Sequence, residues 1–243
     1  MKKILSLALS CVFTIAAAAQ GFSSFTVEGS LIPASIRNIV DGVSIVDVLV
    51  SESTPIKNVN FKYRLYSNSK LSKELVPDFT KPQQVIIEKS DGTSKDWMVR
   101  VKQLKAAKVP FSLEFSEANP LEWSNDAVGW AGLGIDETKP SVIRFGNKGV
   151  SFWVAVDGKA TKVNYKLIPV SKTRVEFDGE FVVEASVNGR SWEELKLFDQ
   201  FNQLSIDGNY QHELPKNVKY IRWTYVSRNK LNINLNNISV TAE

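Results

Sequence analysis

His212 is the only histidine of this 243-residue chain, and Cys11 is its only cysteine. One imidazole and one thiol exclude zinc-finger spacings, a disulfide framework, a Cys–His nucleophile pair and any site with several histidine ligands. A lyase arrangement remains, in which Tyr210, His212 and Arg222 would neutralise a uronate and move its C5 proton. Tyr210 and His212 would point the same way from a strand, but the adjoining Asp207-Gly208-Asn209 is typical of a loop. We therefore interpret His212 first as a surface histidine and keep the lyase as an alternative.

Tryptophans offer a second kind of chemistry, because Trp and Tyr rings stack on the apolar faces of sugar rings. Trp123 and Trp130 lie in a Gly-rich polar stretch, residues 122–134, which we do not expect to form a strand. Rigid aromatic residues on loops serve function more often than those in a core, so we predict that this pair contacts a ligand. Three other tryptophans lie in apolar or alternating runs and are interpreted as core residues: Trp153, Trp192 and Trp223.

Two arginines add hydrogen-bond donors. Arg222 would lie on the strand face opposite Trp223, where its guanidinium fork could bind sugar hydroxyls or clamp a uronic carboxylate. Arg228 follows the same strand. The alternative for both is a solvated strand face. The full set of predicted ligand contacts is Trp123, Trp130, Tyr210, His212, Arg222 and Arg228.

Other catalytic signals are weak. Paired carboxylates for glycoside hydrolysis must lie about 5–10 Å apart across a cleft, and the sequence does not place the available ones. No phosphate-binding loop, dinucleotide fingerprint or serine elbow is present. We therefore predict no catalytic residues, and a polysaccharide-active lyase or hydrolase is the second alternative function.

The composition is that of a globular protein, with 43% hydrophobic and 23% charged residues. Thirty Lys and Arg residues against 26 Asp and Glu residues give a net charge of +4. This charge is too small for an electrostatic nucleic-acid binder, which usually shows a clustered basic face.

The first nineteen residues have the pattern of a secretory signal peptide. Lys2 and Lys3 precede an apolar run, Ile4 to Ala19, that ends in four alanines. We expect cleavage near Ala19, because small residues stand at the −3 and −1 positions. The run is shorter than the ~20 residues of a membrane-spanning helix, which disfavours a membrane anchor. Cys11 lies inside this run, which continues past it, so a lipoprotein signal is disfavoured. The mature chain would then lack cysteine and a transmembrane segment, and would reside in the periplasm, on the cell surface or outside the cell.

Beyond residue 20 the dominant pattern has a period of two, which is typical of antiparallel sheets with one buried face. Six Asp-Gly or Asn-Gly pairs suit type I′ hairpins. We predict an all-β protein, with Ser191–Phe201 a strand rather than a capped helix and one helical turn in Lys70–Val76. Apolar residues change parity at Asn236-Asn237, which predicts a β-bulge there.

A domain boundary is predicted at about Lys105–Pro110, giving modules over residues 20–105 and 108–243. The first resembles the immunoglobulin-like modules at the N-terminus of exported carbohydrate-related proteins of Gram-negative bacteria. The resemblance rests on Phe22-Ser23-Ser24-Phe25, the Ile45–Val50 strand, residues 75–82, and a final hairpin over Glu88–Val101 around Asp91-Gly92-Thr93. It implies a β-sandwich that serves as a spacer, with Trp97 in its core.

The second module resembles a galactose-binding-like jelly roll. The resemblance rests on the Phe181–Trp192 hairpin, the Lys219–Trp223 strand and the closing Leu231–Val240 strand. Lys219 and Asn188 depart from the family, which usually has Arg and Asp there. The resemblance supports the fold more than a ligand, and such folds often hold a structural Ca²⁺. No Asp-x-Asp-x-Asp loop is present here, so we predict no cofactor and keep a structural Ca²⁺ only as an alternative. The predicted function is non-catalytic glycan binding by an exported protein through this module; the first alternative is a protein–protein interaction or adhesion module of the cell envelope.

Overall fold

The structure is a computed structural model that describes residues 20–113, 128–131, 142–170, 176–204, 208–228 and 230–242. The chain is all-β, and these ranges contain eighteen strands and no helix. The strands are β1 (Phe22–Val27), β2 (Ser35–Arg37), β3 (Ser44–Ser51), β4 (Phe61–Leu65), β5 (Ser69–Leu71), β6 (Gln83–Lys89), β7 (Ser94–Leu104), β8 (Ala107–Lys108), β9 (Phe111–Leu113), β10 (Val128–Ala131), β11 (Ile143–Phe145), β12 (Val150–Asp157), β13 (Ala160–Val170), β14 (Glu180–Ser186), β15 (Glu193–Phe198), β16 (Asn209–Glu213), β17 (Tyr220–Ser227) and β18 (Asn232–Ala242). Within the described ranges, nothing has the length and apolarity of a membrane-crossing helix.

The N-terminal sandwich, residues 20–104, packs the two-stranded sheet β1-β4 against a five-stranded sheet of order β2-β3-β7-β6-β5. β3 and β7 run parallel, from Ser44 opposite Trp97 to Ser51 opposite Leu104. Alternation along β3 and β7 sends one set of side chains into the core between the sheets. Trp97 is 1% exposed and meets Phe22 edge-on at 5.4 Å, which confirms it as a core residue. The resemblance of this sandwich to immunoglobulin-like modules stays a prediction.

The outer face of the five-stranded sheet buries a charge network. Asp47 on β3 is 2% exposed and accepts hydrogen bonds from Arg37 on β2 and Arg100 on β7. The Arg100 contacts are bidentate, at 2.6 Å from Nε and 2.9 Å from Nη2. A buried carboxylate is tolerated when it is paired and hydrogen-bonded in this way, and the network links the three neighbouring strands β2, β3 and β7.

The C-terminal sandwich consists of two antiparallel sheets. The first, called here the β12 sheet, has the order β10-β12-β17-β14-β15, and the second, the β18 sheet, has the order β11-β18-β13-β16 with β9 beside β18. Their facing side chains form one apolar core, in which Trp223 is fully buried. This confirms the interpretation of Trp223 and of alternating strands with one buried face.

The predicted β-bulge lies where the parity of β18 changes. Asn164 of β13 pairs with Ser239, but Lys166, two residues on, pairs with Asn236, three residues back. β18 thus holds one extra residue, and Asn237 takes a left-handed φ of 49°. Its neighbours Leu235 and Ile238 therefore both reach the core, as the sequence predicted.

Two local predictions are wrong. Ser69–Leu71 pairs with β6, and this ladder replaces the helical turn expected in Lys70–Val76. The Asp-Gly and Asn-Gly pairs with both residues described are not type I′ turns, because in none of them does the Asp or Asn take positive φ; at Gly92 and Gly189, for example, the glycine alone does so. The preceding side chain instead caps the turn: Asp91 Oδ1 accepts the Thr93 backbone N–H at 2.9 Å. The preference for a strand in Ser191–Phe201 is confirmed by β15.

An apolar cluster joins the two sandwiches. Leu49 and Leu104, from β3 and β7, meet Trp153 and Ala155 of β12, and all four are at most 1% exposed. β12 is therefore buried on both faces. Trp153 is a core residue, as predicted, but it fills the junction rather than the C-terminal core. Within the predicted boundary segment, β8 pairs in parallel with Val156 and Asp157 of β12; the boundary itself stays a prediction.

Candidate binding cleft between the two sandwiches

A cleft of about 640 Å³ opens beside this apolar junction. Its volume lies within the range of about 300–1,000 Å³ that is typical of small-molecule sites. Leu104, Ala106 and Ala155 give it an apolar part, and side chains from both sandwiches give it polar walls.

The N-terminal wall is the turn that follows β3, which brings Ser51, Glu52 and Ser53 to the cleft. The Ser51 hydroxyl lies 2.9 Å from the Ser53 hydroxyl and 3.0 Å from that of Thr54. The Gln103 amide donates to the backbone carbonyls of Glu52 at 3.2 Å and Thr54 at 2.6 Å. The turn is thus tied to β7, and it presents the exposed Glu52 side chain.

The C-terminal wall begins with a surface ion pair. The Lys219 ammonium lies 3.8 Å from the Asp157 carboxylate, and both side chains are about half exposed or more, at 49% and 63%. Such a pair adds little stability. Its consequence for the cleft is that one cation and one carboxylate neutralise each other.

The β14–β15 hairpin supplies the second part of this wall. Asn188 Oδ1 accepts the backbone N–H groups of Arg190 at 2.8 Å and Ser191 at 2.9 Å. The Ser186 hydroxyl donates to the Ser191 carbonyl at 2.6 Å. Asn188 is thus occupied as a turn cap. Arg190 extends exposed from this rigid hairpin, and in the described part of the chain its guanidinium makes no hydrogen bond or ion pair.

Tyr220, at the start of β17, lies between the two walls. Its ring is half buried, with its centroid 6.3 Å from that of Trp153. Burial, and then the Glu52 carboxylate, raise the pKa of Tyr220. The phenol is therefore protonated at neutral pH and can both donate and accept a hydrogen bond.

Gly189 lets the two sandwiches approach at this point. It has φ +72°, and a Cβ here would lie 2.8 Å from Leu31 Cδ2 and 3.3 Å from Tyr220 Cε2. Leu31 belongs to the N-terminal sandwich, where its backbone N–H donates to the Leu49 carbonyl. Glycine is therefore required both for the turn and for the close contact.

Arg222, a predicted ligand contact, is already engaged. Its Nε and Nη2 donate to the Glu184 carboxylate at 2.6 and 3.0 Å. Its guanidinium lies 3.9 Å from the Trp192 ring centroid, and Trp192 packs edge-on against Trp153 at 4.7 Å. Trp192 is half buried, so it supports the junction rather than filling a closed core. A ligand role for Arg222 stays a prediction.

Tyr210 and His212 lie on β16, and both face the interior of the C-terminal sandwich. Of the loop predicted around Asp207-Gly208-Asn209, Asn209 lies in a strand, because β16 pairs with β13. His212 is half buried, and its Nε2 lies 2.9 Å from the Tyr165 hydroxyl. Burial, and then Lys196, lower the pKa of His212. Arg222 points away from this interior, so the three residues of the lyase hypothesis do not converge.

The remaining predicted contacts are placed as follows. Trp123 lies outside the described residues. Trp130 lies in β10, so the expectation that residues 122–134 form no strand is wrong there; the backbone pairs with β12 because Gly129 lets it approach the Leu49 side chain. Arg228 is exposed just beyond the far end of β17, about 25 Å along the strand from Tyr220. Among the described residues, no group of three His, Cys, Asp or Glu side chains could hold a metal ion.

The residues of the cleft were not singled out from the sequence. Arg190 and Lys219 lie in the hairpin and strand that carry the jelly-roll resemblance, but exposed cations on strands usually face solvent. Glu52 lies in an ordinary turn 138 residues before Arg190. Only tertiary packing brings these residues to one cleft, so no local pattern could reveal it.

A scan against protein-family models and a search of the curated proteins give no match. Among solved structures, the chain is similar to a candidate glycoside hydrolase from Bacteroides thetaiotaomicron, with 12% identity and a TM-score of 0.49, covering 93% of this chain and 98% of that one. It is also similar to the K1 cleaved adhesin domain of Lys-gingipain from Porphyromonas gingivalis (14% identity, TM-score 0.37, covering 56% and 99%). A carbohydrate-binding module from Clostridium stercorarium in complex with cellobiose is similar at 11% identity and a TM-score of 0.32, covering 57% and 98%.

Proposed function

We propose that this protein is an exported, non-catalytic glycan-binding protein and that the glycan binds in the cleft between the two sandwiches. One observation carries the proposal: one cleft is lined by the half-buried Tyr220 ring, by the exposed carboxylate of Glu52 and by Arg190, whose guanidinium bonds no group in the described part of the chain. Export rests on the signal-peptide pattern of residues 1–19 and predicts a mature chain that begins near Gln20.

The chemistry of the cleft suits a sugar. A pyranose ring offers an apolar face for the Tyr220 ring and a belt of hydroxyls that both donate and accept hydrogen bonds. Arg190 supplies donors in a planar fork, Glu52 supplies acceptors, and the Tyr220 hydroxyl supplies either. Charge-assisted hydrogen bonds of this kind are stronger than neutral ones.

The non-catalytic part of the proposal rests on the separation of the acid–base candidates. His212 is bonded to Tyr165 inside the C-terminal sandwich, whereas the cleft lies outside it. Within the cleft, Asp157 is paired with Lys219. The cleft residues are therefore arranged to hold a ligand by hydrogen bonds.

A glycan array probed with the full mature chain, followed by calorimetric titration of each hit, tests this function. We expect Arg190→Ala and Tyr220→Ala each to weaken binding about 10-fold or more, because each removes a direct contact. Arg64→Ala, on the exposed face of β4, and Phe201→Ala, 82% exposed on a distant turn, are matched controls and should bind like the wild type.

Three results would contradict the proposal. Unchanged binding in both cleft variants would place the glycan site elsewhere. Silence across neutral and acidic polysaccharides would favour a protein partner in the cell envelope, which a pull-down from the envelope fraction would identify. Release of shorter or unsaturated sugars during incubation would show a polysaccharide-active enzyme.

A further inference from the structure

We infer that the binding site is bipartite: the N-terminal sandwich contributes Glu52 to the cleft, and this carboxylate selects uncharged glycans over uronic acids. The inference rests on the proposed function and deepens it. It also replaces the expectation that the N-terminal sandwich is only a spacer, because a spacer contributes no side chain to a ligand.

The charged residues of the cleft balance one another. It is lined by two carboxylates, Glu52 and Asp157, and two cations, Arg190 and Lys219. Lys219 and Asp157 neutralise each other across 3.8 Å. What remains is one cation from the C-terminal wall and one anion from the N-terminal wall, so the cleft has no excess of positive charge that would attract a uronate.

The Glu52 carboxylate can bind sugar hydroxyls and repel a second carboxylate. A carboxylate accepts hydrogen bonds from two sugar hydroxyls, and these bonds are charge-assisted. A uronate in the same place would bring a second carboxylate close to Glu52, and like charges a few ångströms apart repel each other. Selection against the wrong ligand by an unfavourable contact is a common source of specificity.

Glu52 faces the C-terminal wall, because Glu52 and Tyr220 line the same cleft. In agreement with this placement, the Glu52 carboxylate adds to the effect of burial in raising the pKa of Tyr220. Glu52 Oε2 lies 3.5 Å from the Ala106 backbone nitrogen. The Gln103 amide donates hydrogen bonds to the backbone carbonyls of Glu52 and Thr54 in the same turn. Because the turn backbone is held in this way, ligand binding does not have to order the turn that carries Glu52.

The two sandwiches are fixed relative to each other at this site. The Leu49, Leu104, Trp153 and Ala155 cluster lies directly beside the cleft, and two of its members line it. β8 adds backbone pairing to β12 on the same side. The distance between Glu52 and the C-terminal wall is therefore set by packing, as an organised binding site requires.

The experiment compares Glu52→Gln with the wild-type mature chain on neutral cello-, manno- and galacto-oligosaccharides and on oligogalacturonate and oligomannuronate. The glutamine keeps the shape of the side chain and removes its charge. We expect the wild type to bind a neutral probe and to bind uronates at least 10-fold more weakly. Glu52→Gln should weaken the neutral probe about 10-fold and reduce the discrimination against uronates. Asp41→Asn, an exposed acid-to-amide change in the β2–β3 loop of the same sandwich, is the control and should change neither value.

The outcomes separate this inference from the proposed function. If Arg190→Ala abolishes binding while Glu52→Gln behaves like Asp41→Asn, the cleft binds glycan but the N-terminal sandwich takes no part. If the wild type prefers uronates, the selection is wrong although glycan binding stands. If neither cleft substitution changes the binding of a confirmed probe, or no probe binds, the proposed function and the bipartite site both fall.

Discussion

Two arginines of the C-terminal sandwich show how position decides the use of one side chain. The Arg222 guanidinium donates two hydrogen bonds to the Glu184 carboxylate and stacks on the Trp192 ring. These donors are therefore already used within the protein. Arg190 extends from a hairpin whose backbone is capped by Asn188, and no described group bonds its guanidinium. Because a ligand needs donors that the protein does not already use, Arg190 is the stronger candidate contact.

At the residue scale, we predict that His212 makes the stability of the protein sensitive to mild acid. Burial, and then Lys196, lower its pKa in the folded state below the ordinary 6.5, so the unfolded chain binds the proton more tightly. The folded state is therefore favoured above pH 6.5 and loses this contribution as the pH falls through the folded pKa. The melting temperature of the wild type should fall more between pH 7 and pH 5 than that of His212→Gln. Parallel curves for the two proteins would show that His212 titrates alike in both states.

At the element scale, the β14–β15 hairpin provides a test of the contact between the sandwiches. Gly189 and Gly92 both have positive φ, at +72° and +85°, but only at Gly189 would a Cβ meet neighbours within 4 Å. Gly92→Ala should cost about 1–2 kcal/mol, from backbone strain alone. Gly189→Ala should cost about 1–3 kcal/mol more, because its Cβ also meets Leu31. Urea unfolding of both variants measures this difference, and equal losses would mean that the contact with Leu31 yields without cost.

Features of single elements that depend on local alternation are predicted well from the sequence. Alternation of apolar residues along a strand is a local property, so it identified the two-faced strands and the core position of Trp223. The bulge of β18 was predictable for the same reason, since a parity change at Asn236-Asn237 has few other ways to keep Leu235 and Ile238 in one core.

What the sequence did not predict depends on partners far along the chain. β10 reads as a loop because Gly129 is a poor strand former, and it forms a strand because β12 pairs with it and Leu49 lies against it. The cleft combines Glu52 with Arg190 and Tyr220 through packing between sandwiches, which no residue spacing encodes.

At the scale of the whole molecule, the junction makes one structure of two sandwiches. Inter-domain interfaces within a chain are usually polar and allow relative motion. Here a fully buried Trp153 and two buried leucines, Leu49 and Leu104, lie between the cores. The junction should therefore couple the unfolding of the two sandwiches and keep the cleft at a fixed width.

This coupling predicts the effect of Leu104→Ala. The substitution leaves a cavity in the junction, not in either core, and should cost about 2–5 kcal/mol. We expect calorimetry to show one cooperative transition for the wild type and two separate transitions for Leu104→Ala, because the sandwiches would then unfold independently. Leu75→Ala, in the core of the N-terminal sandwich alone, is the matched control and should lower the transition temperature while the sandwiches remain coupled.

Since the cleft depends on the same junction, Leu104→Ala should also weaken glycan binding at temperatures where both sandwiches are folded. A single sharp transition and wild-type affinity in Leu104→Ala would contradict this prediction. They would show that the segment Lys105–Pro110, which includes β8, holds the two sandwiches together without the apolar cluster.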